Sequence, residues 1–138
     1  MIEFQTEGVE MPELDAAGVF RWLESVAAEY GCHVGNIVYC FCSDEVILEA
    51  NRKYLGHDYY TDIITFDYTE GDRLNGDIYL SLDTVRSNAE KFGVAYEDEF
   101  HRVLAHGVLH LCGLHDKTPE ERAEMEAAEN RALELCTI

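Results

Sequence analysis

The chain has 138 residues, of which 47% are hydrophobic, and 28 acidic residues against 10 basic ones give it a net charge of −18. The length suits one domain with a single core, and the apolar content argues against a disordered chain. The acidity argues against broad, non-specific binding to polyanions. The N-terminus is acidic and no segment approaches 18 consecutive apolar residues, so we expect a cytoplasmic protein without signal peptide or membrane anchor.

Hydrophobic periodicity and turn residues divide the chain into nine elements, in the order β-α-β-α-β-β-α-α-α. Glycines follow three of the predicted helices as stop signals, and a Thr-Pro-Glu-Glu segment opens the last one as a capping box. The turn-rich segment EGDRLNG separates two strands that we expect to form a hairpin. The predicted elements span residues 1–6, 12–30, 37–42, 43–54, 62–68, 77–82, 83–92, 96–111 and 119–135.

This order predicts an α+β fold in one domain that spans residues 1–138. We expect a small mixed sheet of about four strands, packed with about five helices. The five cysteines include no CxxC pair, which indicates reduced thiols rather than a structural zinc site made of cysteines. Any metal chemistry must therefore come from other residues.

The segment HGVLHLCGLHD, at 106–116, holds three of the six histidines of the chain. His106 and His110 are four residues apart on a predicted helix, so their Cβ atoms lie roughly 5–6 Å apart on one face. That spacing lets both imidazoles reach one metal ion. Histidines at this spacing also occur as ordinary surface or core residues of an amphipathic helix, which is the competing interpretation.

The residues that follow the histidine pair favour the metal. Gly113 ends the helix and turns the chain back, so His115 or Asp116 can supply a third ligand and leave a fourth position open. The spacing matches the zinc motif HExxHxxGxxH of metzincin proteases, with Asp116 in the third place. Gly107 stands where those proteases carry their catalytic glutamate, which disfavours a peptidase mechanism. We therefore predict one zinc ion per chain, held on a helix and the following turn.

Three segments resemble, in order and spacing, the YbeY family of bacterial metal-dependent endoribonucleases. The segments are NRKYLGHDYYTDIITF, NGDIYLS and HGVLHLCGLHD, and the acidic-apolar pattern EMEAAEN is similar to the family's last helix. The resemblance covers about residues 45–135. It implies an enzyme of ribosomal RNA maturation that cleaves single-stranded RNA precursors, with ribosomal subunits or ribosome-associated proteins as partners.

The first departure from the family pattern concerns the third metal ligand. The family's third metal histidine falls at Asp116 and the family's aspartate falls at His115, so the pair looks exchanged. The resemblance implies that His106, His110 and Asp116 bind the metal, with His115 as the competing ligand. If Asp116 binds, His115 becomes an outer or acid–base group of the catalytic set.

The second departure concerns RNA binding. The arginine that the family uses at the RNA-phosphate site falls at Leu55. The resemblance then implies Arg52, Lys53 or His57 as substitutes, although each also fits an ordinary solvated side chain. It further implies that Thr61 and Asp62 form a wall of the cleft near the metal, although the two residues also fit an ordinary turn and strand start.

Three functions follow from these observations. The leading hypothesis is an endoribonuclease in which a metal-activated water attacks the phosphodiester bond. The first alternative is a non-enzymatic ribosome-assembly factor with a structural metal, which the net charge of −18 and Leu55 favour. The second alternative is a metal-dependent hydrolase of another substrate class, such as a peptidase, against which Gly107 argues.

Overall fold

The computed structural model describes residues 1–56 and 61–138, and it confirms the predicted order of elements. Within those ranges no helix has both the length and the apolar surface that a membrane span needs. The strands are β1 (Ile2–Glu7), β2 (His33–Cys42), β3 (Ile63–Asp67) and β4 (Arg73–Ser81), and the helices are α1 (Ala16–Ala28), α2 (Asp44–Leu55), α3 (Leu82–Phe92), α4 (Tyr96–Leu111) and α5 (Pro119–Glu134).

Three elements begin four residues away from their predicted starts, whereas the others begin within one residue of theirs. Helix α1 begins after Asp15, whose carboxylate accepts a hydrogen bond of 3.0 Å from the Gly18 amide as an N-cap. Strands β2 and β4 both begin four residues early, because these extensions pair with each other and place Val34 opposite Leu74. Leu74 is fully buried. The stabilisation from its burial therefore outweighs the preference of the neighbouring residues for a turn.

The four strands form one mixed sheet in the order β1-β2-β4-β3. The pairs β1–β2 and β2–β4 are parallel, and β3 and β4 form the predicted antiparallel hairpin. One row across the sheet runs through Phe4, Tyr39, Ile78 and Thr65. This topology confirms the expected α+β class and places β3, which leads out of the Asp62 segment, at one edge.

Most of the core lies between one face of the sheet and helices α1 and α4. The Tyr39 hydroxyl of β2 donates a hydrogen bond of 2.6 Å to the carbonyl of Leu104 in α4. The Phe41 ring lies 5.5 Å from that of Phe100, also in α4. On the opposite face, helix α2 covers a much smaller cluster, which consists of Cys42, Ile47, Ala50 and Ile64. Helix α4 is thus held directly against the centre of the sheet.

Helix α5 is anchored at both ends. Thr118 opens the helix with the predicted capping box. Near the other end, the indole N–H of Trp22 in α1 donates a hydrogen bond of 2.8 Å to the carbonyl of Ala132. Arg131 forms an ion pair of 2.9 Å with Glu29, just beyond α1. The last two contacts tie the C-terminal part of α5 to α1.

Candidate metal centre

Helix α4 directs His106 and His110 to the same side, as their spacing predicts. The two ring centroids are 4.5 Å apart and the rings are inclined by 84°. The Nε2 atom of each ring lies 3.2 Å from Oδ2 of Asp116. One ligand atom from each of the three residues lies within 4.8 Å of the other two. The three side chains therefore converge on one point.

The turn after α4 brings Asp116 back to the histidines. Gly113 has a φ of 102°, in the left-handed region that favours glycine. Its amide donates a hydrogen bond of 3.0 Å to the His110 carbonyl, and the next amide, of Leu114, donates one of 3.1 Å to Leu109. The Leu114 carbonyl lies 3.0 Å from Nδ1 of His110. The turn and the second histidine thus hold each other in place.

The structure brings Asp116, and not its neighbour His115, to the histidine pair. His115 is exposed on the turn, and the charge of Glu121 at the start of α5 is near it. The resulting set comprises two imidazole nitrogens and one carboxylate oxygen. Zinc accepts these donor types, and three protein ligands leave one coordination position open for chemistry. The residues therefore fit a catalytic rather than a closed structural zinc site.

The two histidines differ in acidity. Burial lowers the pKa of His106, but the hydrogen bond and charge of Glu129, together with Asp62 and Asp116, outweigh burial and raise the pKa above its usual value. Burial and the nearby charge of His106 lower the pKa of His110. Only a neutral imidazole binds a metal, so His110 is ready to bind at neutral pH. His106 must also be neutral before it can bind a metal.

His106 and Asp116 open onto a cleft of about 640 Å³. Its walls come mainly from the end of α3, from α4 and from α5, and exposed Phe92 and Val94 form part of its rim. The charged residues in these walls are Asp62, Asp98, Glu99, Arg102, Asp116, Arg122, Glu126 and Glu129. Acidic side chains outnumber the arginines, so the cleft by itself is an electronegative environment suited to a cation.

Two further carboxyl groups in the cleft have a raised pKa. Burial is the main cause at Asp62, although the charge of His106 partly offsets it. Burial is also the main cause at Glu99, which is only 5% exposed, and the charge of Asp62 adds to it. Asp62 lines the cleft that His106 and Asp116 share, as the family resemblance implied, whereas Thr61 is not among the lining residues.

Gly107, the residue that argues against a peptidase, faces the sheet. A Cβ atom at this position would lie 2.9 Å from Cδ1 of Ile78 and 3.2 Å from Cδ1 of Ile63. Glycine therefore lets α4 lie close against β3 and β4. A glutamate here would point into the sheet and away from the metal ligands. Packing thus gives a physical reason why an HExxH mechanism is not used.

Two of the three predicted RNA-binding residues, Arg52 and Lys53, lie apart from this cleft. Arg52 and Lys53 occupy the last turn of α2, which packs on the opposite face of the sheet. His57 lies outside the described residues. Among the residues that are described, the arginines in the cleft walls are Arg102 and Arg122. The structure therefore does not bring Arg52 and Lys53 together with the candidate metal ligands.

Glu129 and its partner Arg102 also belong to the site, although no sequence motif predicted them. The Oε2 atom of Glu129 lies 2.5 Å from Nδ1 of His106, and its Oε1 atom lies 3.0 Å from Nη1 of Arg102. A signal for this was present in the sequence. Glu129 follows Ala128 and comes four residues after Met125, and both of these apolar residues are buried in α5. An acidic residue on an apolar side of a helix requires a buried partner.

Known proteins resemble this chain over nearly its whole length. The family model described as Endoribonuclease YbeY matches residues 1–137. A curated Endoribonuclease YbeY from Phocaeicola vulgatus is 62% identical over 138 residues, which cover all of both chains. Another from Bacteroides thetaiotaomicron is 61% identical over 97% of this chain and 98% of its own. A Thermotoga maritima protein, solved in solution, matches 99% of this chain and 89% of its own, with 27% identity and a TM-score of 0.69.

Proposed function

Because the chain belongs to the YbeY family of endoribonucleases, we propose that it cleaves single-stranded precursors of ribosomal RNA in the cytoplasm with a bound zinc ion. Family membership makes the chain an RNA-cleaving hydrolase. The match to residues 1–137 supports treating residues 1–138 as one catalytic domain. Ribosomal subunits or ribosome-associated proteins are the proposed partners, since the proposed substrate is part of a ribosomal particle.

One observation carries the proposal: three metal-binding side chains converge at the wall of a cleft. His106, His110 and Asp116 would hold a single zinc ion, each through one atom. Zinc in such an open set supplies a Lewis acid and an activated water for hydrolysis of a phosphodiester bond.

The remaining predicted residues have distinct proposed roles. His115 is exposed on the turn that carries Asp116, so it is the proposed group that exchanges protons between the site and solvent. Arg52, Lys53 and His57 are the proposed contacts to RNA phosphates. Because Arg52 and Lys53 lie on helix α2, such contacts would engage the strand at some distance from the cleaved bond.

The cleft also favours a single-stranded substrate. It has a volume of about 640 Å³ and largely acidic walls, which repel a phosphate backbone. Few phosphates can then be neutralised, so RNA binding should depend only weakly on salt. An unpaired strand can present one phosphodiester to the metal without bringing a second backbone into the same acidic environment.

The test is an RNA-cleavage assay with the full chain and a single-stranded fragment of a ribosomal RNA precursor. Zinc-loaded protein should cleave the fragment, and a chelator should abolish cleavage until zinc is added back. The His110→Ala variant serves as the metal-binding control. A zinc-loaded wild-type chain that cleaves no RNA would contradict the proposal, and a parallel peptide-cleavage assay would identify a peptidase.

Two observations favour a second function, that of a ribosome-assembly factor with a structural metal. The net charge is −18, and Leu55 replaces the family's RNA-binding arginine at a position where the side chain is 43% exposed. A protein of this kind would co-sediment with ribosomal particles and would leave RNA intact in every metal condition. The cleavage assay combined with sedimentation therefore separates the two functions.

A further inference from the structure

We propose that Glu129 is the positioning residue for His106: it fixes the ring in the tautomer and orientation that a metal ligand requires. Arg102 in turn holds Glu129. This inference rests on the proposed metal site, since it assigns a role to a residue that supports one of the ligands. Glu129 lies on α5, the last helix of the chain, whereas His106 lies on α4.

The two nitrogens of the His106 ring have different partners. Nδ1 lies 2.5 Å from Glu129, and Nε2 lies 3.2 Å from Asp116 on the other side. An ionised carboxylate can only accept a hydrogen bond, so in the neutral ring the proton is on Nδ1. The lone pair of Nε2 then faces Asp116, the third candidate ligand. Such a carboxylate–histidine pair is the usual support of a histidine that binds zinc.

His110 has a different kind of support from that of His106. Nδ1 of His110 lies 3.0 Å from the carbonyl of Leu114, which also accepts only. Both rings thus present Nε2 to the same point. The support of His110 comes from the backbone of its own turn, whereas that of His106 comes from a side chain 23 residues further along. A side-chain replacement can therefore remove the support of His106 and leave that of His110 intact.

Glu129 is itself held in place by Arg102. Its side chain is only 13% exposed, and its second oxygen accepts a hydrogen bond of 3.0 Å from Arg102. Arg102 also donates a hydrogen bond of 2.7 Å to the side chain of Asn130. Glu129 therefore has one oxygen for Arg102 and one for His106. The contacts of α5 with Trp22 keep the helix in place.

The Glu129→Gln variant gives a sharp test, because a glutamine has one oxygen and one NH₂ group. Arg102 only donates, so it should bind the oxygen and leave the NH₂ group to face Nδ1 of His106. Nδ1 must then accept, which moves the ring proton to Nε2 and blocks the metal-binding lone pair. We expect the affinity for zinc to fall by about 10–100-fold, the range for loss of such a support.

Two measurements are needed, and neither depends on RNA cleavage. Zinc affinity is measured by competition with a chromophoric chelator. The His106 tautomer is read from the nitrogen chemical shifts of the histidine rings in metal-free protein, at a pH where the ring is neutral. Glu124→Gln is the matched control, because it makes the same change at an exposed position of the same helix. This control should keep the wild-type affinity and tautomer.

The outcomes separate the two proposals. If wild-type protein binds no zinc, the proposed metal site fails, and the tautomer measurement still decides whether Glu129 orients His106. If wild-type protein binds zinc and Glu129→Gln binds it equally well with an unchanged tautomer, the inference is overturned. Should Glu129→Gln fail to fold, Glu129→Asp replaces it, because it keeps the charge but withdraws the carboxylate by one methylene. Undiminished zinc affinity of Glu129→Asp would also overturn the inference.

Discussion

Helices α4 and α2 pack on opposite faces of one sheet, and they differ sharply in how much of each is enclosed. Nine of the 16 residues of α4 are buried, against three of the 12 residues of α2. Helix α4 contacts the sheet, α1, α3 and α5, whereas α2 covers a small cluster and meets α3 at one end. The candidate metal ligands lie on α4, the enclosed helix, and on the turn that follows it, whereas Arg52 and Lys53 lie on α2, the open helix.

The two helices place different demands on rigidity. A metal site needs ligand atoms held within a few tenths of an ångström, which packing on several sides supplies. Contacts to RNA phosphates tolerate mobile side chains, because charge attraction does not depend on fine geometry. The fold therefore combines metal ligands held on a tightly packed helix, α4, and its turn with RNA contacts on a less enclosed helix, α2.

The largest expected effect comes from placing a glutamate on the sheet side of each helix. Gly107→Glu forces a carboxylate against Ile78, so we expect a loss of stability on the order of 4 kcal/mol, close to complete unfolding. Ala50→Glu should cost only about 1–3 kcal/mol, because residue 50 lies near the rim of the small cluster and is 7% exposed. Denaturant unfolding of both zinc-free variants measures the difference. Equal losses would mean that the two helices are packed equally tightly.

The next largest effect concerns the ligands of the enclosed helix and its turn. His110→Ala and Asp116→Ala should each lower zinc affinity by more than about 100-fold, beyond the loss for an outer partner. RNA cleavage should fall with zinc binding. His115→Ala should retain most of the zinc affinity, because its side chain lies away from the pair. The reverse ranking of Asp116 and His115 would move the third ligand to His115.

A smaller effect is expected on the open helix. The double variant Arg52→Ala/Lys53→Ala should lower RNA cleavage by about fivefold to tenfold and reduce the salt dependence of RNA binding by about two phosphates. Bound zinc should be unchanged, since neither residue lies in the cleft walls that are described. If cleavage survives this change but disappears when Arg86 or Lys91 is replaced, the RNA path runs over α3 instead.

The smallest expected effect is on the thermal stability of the protein, and it comes from the buried carboxylate of Glu99 in α4. Burial, followed by the charge of Asp62, raises the pKa of Glu99, so the folded state holds this proton more tightly than the unfolded state does. The protonated group stabilises the fold at low pH, and this contribution is lost as pH rises through the raised pKa. Glu99→Gln should therefore raise the Tm of zinc-free protein at pH 7 by roughly 2–5 °C.

The Glu99→Gln gain should disappear below about pH 4, where the carboxyl group is protonated in both states. Glu49→Gln on α2 is the control: Glu49 is exposed, so its replacement should change the Tm very little at either pH. Thermal unfolding of the three proteins at both pH values gives the comparison. A Glu99→Gln gain that persists at low pH would point to a cause other than charge burial.

Much of the fold was predictable because its signals are local. The order of all nine elements, the Thr118 capping box and the α+β class follow from periodicity and turn chemistry. The starts of β2 and β4 were wrong, because the residues that extend them are stabilised by pairing between Val34 and Leu74, 40 positions apart. A local sequence pattern contains no information about such a distant partner. The segment RLNG was therefore predicted as a turn, although it is the start of β4.

For the candidate site, local sequence was enough to predict that His106 and His110 share a face, since four residues of helix return a side chain to the same side. It also determined that the chain reverses at Gly113, whose backbone favours glycine. Tertiary structure decided which of two adjacent residues faces the pair, and that Glu129 supports His106 from another helix. The physical reason is that covalent geometry fixes neighbours along a helix, whereas contacts across a turn or between helices depend on how α5 docks against α4.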